Sequence, residues 1–185
     1  MKGLVKNLII WVIALLIAVP VFSQSESIVN VRFSVPEIAV VDIEPELNNI
    51  AFSVDASSDP GGKPVVQQVS GEPIWINYSS AIRKNGNKRS ITAQISDSDV
   101  PDGISFYIDA SPATAFGSTN QGISAGKVLI STMPKPIITG IGSCYTGDGV
   151  NMGHEIKYSI DISDFTKIET VGDQVFTVLY TITDN

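Results

Sequence analysis

From about residue 28 onward, apolar and polar positions alternate with a period of two. IVNVRFSV places Val29, Val31, Phe33 and Val35 on one face. IAVVDI follows Pro36 and stops at Pro45. NIAFSVDA groups Ile50, Phe52 and Val54, and IWINYS groups Ile74, Ile76 and Tyr78. SITAQIS, GISFYIDA, KVLIST, EIKYSIDIS and QVFTVLYTIT continue the pattern. β-Branched and aromatic residues at every second position, punctuated by Gly, Pro, Asn and Asp, predict strands. The set amounts to about nine strands at the spacing of a two-sheet antiparallel sandwich, an all-β fold. No segment carries an apolar stripe of helical period. Asn85-Gly86 lies between two alternating runs and predicts a hairpin. Arg83, Lys84, Lys88 and Arg89 then crowd its tip.

The first residues depart from this pattern. Lys2 and Lys6 precede an apolar run from Leu8 to Val19, broken by Pro20, with Val21 and Ser23 at positions suited to signal peptidase. Residues 1–23 therefore read as a signal peptide, cleaved before Gln24. The run is shorter than the ~20 residues that span a bilayer, so no stable membrane span is expected after cleavage. Residues 24–185 then form a single exported domain, in the periplasm, on the outer surface or outside the cell.

Cleavage also changes the charge. The whole chain has 12 Lys and Arg against 19 Asp and Glu, net −7; without Lys2 and Lys6 the balance is 10 against 19, net −9. An acidic exported protein lacks the basic face that nucleic acid requires. Cys144 is the only cysteine, so no disulfide forms within the chain, and a domain of this size can be stable without one.

Candidate chemistry is sparse. TGIGSCYTGDGVNMGHEIKY, residues 139–158, holds Cys144, Asp148 and the only histidine, His154. A thiol–imidazole pair needs a base oriented by a third group and a setting that lowers the thiol pKa. No helix start or second histidine supplies one, so the glycines read as turn geometry, with Cys144 and Tyr145 tucked beneath the loop, and no catalytic residue is expected. DSDVPDG spaces Asp97, Asp99 and Asp102 unlike an EF-hand; it reads as a solvated turn at Pro101-Asp102-Gly103, against the alternative of calcium bridging such carboxylates in a sandwich loop. No metal ligand set and no cofactor is expected. No motif selects a carboxylate pair for glycoside hydrolysis. Trp75, with Asn77 and Ser79 on its side of the strand, is a candidate glycan contact. A buried strand tryptophan is the competing reading.

Several stretches resemble a group of secreted bacterial pilin-like and spore-coat-protein-U-like β-sandwiches. They are VPEIAVVDIEP, IWINYSS, RSITAQISDSDVPDGISFYIDA and the end from GIGSCYTGDG to YTITDN. The resemblance spans nearly all of residues 28–185. It implies an immunoglobulin-like sandwich with a structural or adhesive role at the cell surface, not enzymatic activity. It further implies a pilus or filament subunit assembling by strand addition. The missing disulfide departs from chaperone–usher pilins. Under this reading Val29, Val31, Phe33 and Val35 form the candidate donor strand, against the alternative of an ordinary first strand of the same domain. The partner is then a second copy or another cell-surface protein. A secreted carbohydrate-binding module, with a glycan as partner, is the alternative function.

Overall fold

A computed structural model describes Gly3 and residues 26–46, 49–97, 99–169 and 172–184. The expected signal peptide, residues 1–23, and its cleavage site lie outside the described residues, Gly3 excepted. The chain separates into two units, residues 1–35 and 36–185. In the first, residues 26–35 carry no strand and are exposed. The alternation of IVNVRFSV predicted a strand, but a strand needs hydrogen-bonding neighbours that alternation does not supply.

The second unit is almost entirely β. In chain order its strands are β1 (Ile38–Glu44), β2 (Ala51–Asp55), β3 (Val65–Ser70), β4 (Ile74–Ala81), β5 (Arg89–Ile95) and β6 (Ile104–Ala110). They continue as β7 (Ile123–Ser124), β8 (Lys127–Leu129), β9 (Lys135–Ile141), β10 (Cys144–Tyr145), β11 (His154–Ile162) and β12 (Val178–Asp184). One short 3-10 turn, Phe165–Lys167, is capped by the Asp164 side chain accepting from Thr166 N–H.

Two antiparallel sheets form the sandwich. One runs β1-β4-β11-β6-β8, with β10 also on β4; the other runs β12-β5-β9-β7. β2 and β3 pair only with each other. The edge strands β1 and β12 lie beside one another. Between the sheets sits an isoleucine-rich core in which Ile76, Ile91, Ile108, Ile137, Ile138 and Ile141 are fully buried. β-Branched side chains suit this role because they are stiff at χ1 and fill a pleated surface.

Two local expectations are corrected. The Asn85-Gly86 segment is not a hairpin between paired strands, because β4 and β5 belong to different sheets. Gly86 N–H donates to Arg83 O at 2.8 Å and Asn85 takes φ 62°, so the turn carries the chain across the sandwich. Arg89, placed by the sequence at a wet tip, is only 4% exposed. Its guanidinium reaches Asp184 at 2.7 Å, Ser80 Oγ and Ala81 O at 3.3 Å, and the carbonyl of Ile38.

Candidate functional site

β4 is the strand around which the chemistry collects. Its inward residues, Ile74, Ile76, Tyr78 and Ser80, are buried in the core. Its outward residues are Trp75, Asn77 and Ser79. β1 lies on one side in register, pairing Glu44 with Trp75, Asp42 with Asn77 and Val40 with Ser79. β10 and β11 share the other side, with Tyr145 opposite Ser79 and Glu155 opposite Trp75.

The loop from β10 to β11 is stitched onto this strand. Tyr78 N–H donates to Thr146 Oγ1 at 2.9 Å, and Thr146 N–H donates to Tyr78 O at 3.1 Å. Asn77 Nδ2 donates to Gly149 O at 2.9 Å. At Gly153 a Cβ would fall 2.1 Å from Ile76 O, and φ is 65°. The glycine-rich sequence thus reflects close approach to β4 and left-handed backbone, as the turn reading expected.

Cys144 and His154 are not a pair. They face Ser80 and Ile76, four positions apart on β4, which is about 13 Å along a strand. Cys144 is buried, and that burial raises its thiol pKa, the opposite of what a nucleophile needs. His154 is 0% exposed. Its Nδ1 lies 2.7 Å from Ser111 O, and because a carbonyl only accepts, Nδ1 carries the proton there. Its Nε2 lies 2.9 Å from Tyr78 Oη, which also contacts the carbonyl of Gln121. Desolvation lowers the His154 pKa, partly offset by the backbone carbonyls around it. Desolvation likewise raises the Tyr78 phenol. Asp148 is exposed and reaches neither group, joining other acids instead.

Asp148 borders a cleft of about 450 Å³, lined with it by Val40, Asp42, Asn77, Tyr78, Ser79, Tyr145 and Gly147. One carboxylate oxygen from each of Asp42, Glu44 and Asp148 lies within 4.8 Å of the others. No sequence motif announces this grouping, because Asp42 and Asp148 are remote in sequence and meet only where β1 and the β10–β11 loop both lie against β4.

The glycan candidates divide. Trp75 is half-buried, while Asn77 is only 4% exposed and spends its amide N–H on the loop. The exposed ring at the cleft is Tyr145, at 58%; the sequence placed it beneath the loop with Cys144, but alternation along β10 buries Cys144 and turns Tyr145 outward. Asp97, from the DSDVPDG stretch, accepts from Thr177 N–H at 2.8 Å and Thr177 Oγ1 at 2.7 Å, and these bonds lower its pKa. Arg83 of the basic turn pairs with Glu37 at 3.3 Å.

A second region of interest is the rim between β1 and β12. Val41 and Ile43 on β1, and Val178, Tyr180 and Ile182 on β12, pack against the core but stay half-buried. The corresponding positions on the inner strands are closed off. In the separate N-terminal unit, the candidate donor residues Val29, Val31, Phe33 and Val35 are exposed by between 70% (Val35) and 84% (Phe33). Among the described residues, no helix is long and apolar enough to cross a membrane. Comparison with protein-family models, curated proteins and solved structures returns no match.

Proposed function

We propose that this chain is an exported structural or adhesive surface protein, an immunoglobulin-like sandwich whose copies join into filaments by strand addition. The observation that carries the reading is a mismatch between two apolar surfaces. Val29, Val31, Phe33 and Val35 alternate along a segment that has no strand of its own. Val41, Ile43, Val178, Tyr180 and Ile182 are core side chains left partly uncovered where two edge strands lie side by side. Edge strands also present unpaired N–H and C=O groups, which an incoming extended segment satisfies. The occupant assigned to this rim is residues 28–35 of a second copy. The resemblance of the sequence to pilin-like sandwiches and its leader-like N-terminus support the same reading.

The test compares the full exported chain, residues 24–185, with a chain beginning at Pro36, by light scattering after size exclusion. The full chain is expected to form concentration-dependent oligomers. The shorter chain is expected to be a folded monomer that takes up a synthetic 24–35 peptide, but not a peptide with aspartate at Val31 and Phe33. A full chain that stays monomeric at every concentration, or a shorter chain that is unfolded, overturns the reading.

A specific observation favours a second reading, carbohydrate binding. The Tyr145 ring is exposed at the rim of a cleft holding Asp42, Asp148 and Ser79, a stacking surface beside acceptors for sugar hydroxyls. Glycan-array binding lost on Tyr145→Ala, with the fold intact by circular dichroism, supports it. An array with no binding to the unaltered chain rejects it.

A further inference from the structure

The same cleft poses a question that neither filament assembly nor sugar stacking answers. Asp42 and Asp148 line it, and with Glu44 three carboxylates converge within 4.8 Å. Among the described residues, none of the three forms an ion pair with a lysine or arginine. Like charges at such spacing repel, and with no compensating cation their gathering costs stability. The residue beside them is anomalous as well. Asn77 stands opposite Asp42 in the ladder and lines the same cleft. It is buried, its Nδ2 is committed to Gly149 O, and its Oδ1 has no hydrogen-bond partner among the described residues. A buried amide oxygen without a donor points to a water or an ion that the polypeptide does not itself supply.

We propose that Asp42, Glu44 and Asp148, with Asn77 beside them, form a calcium site. The donors are all oxygens of carboxylate and amide type, which select a hard cation over zinc or copper. Their origin on an edge strand and a loop suits calcium, which tolerates irregular geometry, better than magnesium, which demands a near-ideal octahedron. The ion relieves the repulsion among the three acids, and its charge or a water of its shell provides what Asn77 Oδ1 lacks. It also ties the loop of residues 146–153 to β1, the outermost strand of its sheet.

The probe is calcium chloride, titrated into the metal-stripped full chain by calorimetry, with thermal melting in parallel. One ion per chain is expected to bind, with a Kd of roughly 10⁻⁴–10⁻³ M, the range of extracellular calcium modules, and with a rise in melting temperature. Asp148→Asn, in an exposed loop, and Asp42→Asn are each expected to weaken binding about tenfold or more, since affinity follows ligand charge. In calcium-free buffer both variants are expected to melt at or above the temperature of the parent chain, because each relieves repulsion; a folded variant that no longer binds separates ligand loss from misfolding. Absence of heat and of any melting shift up to about 10 mM calcium, ten times the upper end of that range, overturns the proposal. So does calcium binding that is unchanged in Asp148→Asn.

Discussion

The hydroxyls of Tyr158 and Tyr180 hydrogen-bond to each other across the sandwich, one from β11 and the other from β12. This joins the two sheets at the edge where β12 is hydrogen-bonded in its ladder to β5. The Tyr158 ring stacks on Phe106 at 5.8 Å, and Phe106 meets Phe176 edge-on at 4.9 Å. Burial pushes both phenols above their ordinary range, so the pair stays neutral. Removing one hydroxyl leaves the other, in its part-buried position, without its partner. Tyr180→Phe is expected to cost about 1–3 kcal/mol in urea unfolding. The Tyr158→Phe, Tyr180→Phe double variant is expected to cost no more than either single change, a coupling visible in a double-mutant cycle. Additive costs would show that the two hydroxyls act independently.

His154 makes stability depend on acidity in one definite direction. Its folded-state pKa is lowered, chiefly by desolvation. The unfolded chain takes up a proton near pH 6.5, while the folded chain does so only at lower pH. The stability is therefore complete above about pH 6.5 and declines as pH falls from there toward the folded pKa. Because His154 is the only histidine, no other imidazole blurs the transition. Asp97 and Asp164 also have lowered folded pKa values, through their bonds to Thr177 and Thr166, and their contribution is lost only below about pH 4. Chemical denaturation from about pH 7 down to about pH 4, above the carboxylate window, checks the sign. His154→Gln is expected to flatten the slope near pH 6, and a slope that survives it would assign the effect elsewhere.

Arg89 is predicted to be a structural cation of the interior. It is held by the carbonyls of Ile38 and Ala81, by Ser80 Oγ and by Asp184, so one side chain touches β1, β4 and the end of β12. Arg89→Ala strips several bonds to buried acceptors and is expected to destabilise by about 3 kcal/mol or more. Asp184 is largely exposed, and Asp184→Asn is expected to cost less than about 1 kcal/mol, as for a screened surface pair. The comparison is read from denaturation midpoints at matched slope. Equal costs for the two changes would mean that the ion pair, not the carbonyl contacts, is what Arg89 contributes.

The inner strands were legible because their alternation is strict. Ile74, Ile76 and Tyr78 in β4, and Ile91, Ala93 and Ile95 in β5, are the inward set in sequence and in structure. β9 was missed because Pro136 and the adjacent pair Ile137-Ile138 break the period. The β5/β9 ladder slips at Arg89/Ile91 and Ile91/Thr92, and this irregularity accompanies the burial of both isoleucines. The Val29–Val35 alternation was read as a strand because periodicity reports a face, not the presence of a neighbour. Arg89 was misplaced because its partner Ile38 is remote in sequence. The acidic cleft was invisible for the same reason, since Asp42 meets Asp148 only once register is known.

Gly153 separates conformational strain from steric conflict. At Gly140, φ is 73° and an added Cβ would meet nothing within 4 Å. Gly140→Ala should therefore cost only the left-handed backbone penalty, about 1–2 kcal/mol. At Gly153 the same penalty at φ 65° is joined by a contact of 2.1 Å to Ile76 O, a backbone atom fixed in the core strand β4. Gly153→Ala must push β11 away from β4 just where His154 pairs with Ile76. Its cost should exceed that of Gly140→Ala by about 2 kcal/mol or more, in the range of overpacked interiors. The displacement should also disturb the His154–Tyr78 contact. Cys144, about 13 Å away along β4 opposite Ser80, should stay protected from a disulfide reagent until the chain unfolds, given its burial and raised pKa. Equal melting temperatures for the two alanine variants would show that β11 yields to a Cβ without loosening its pairing to β4.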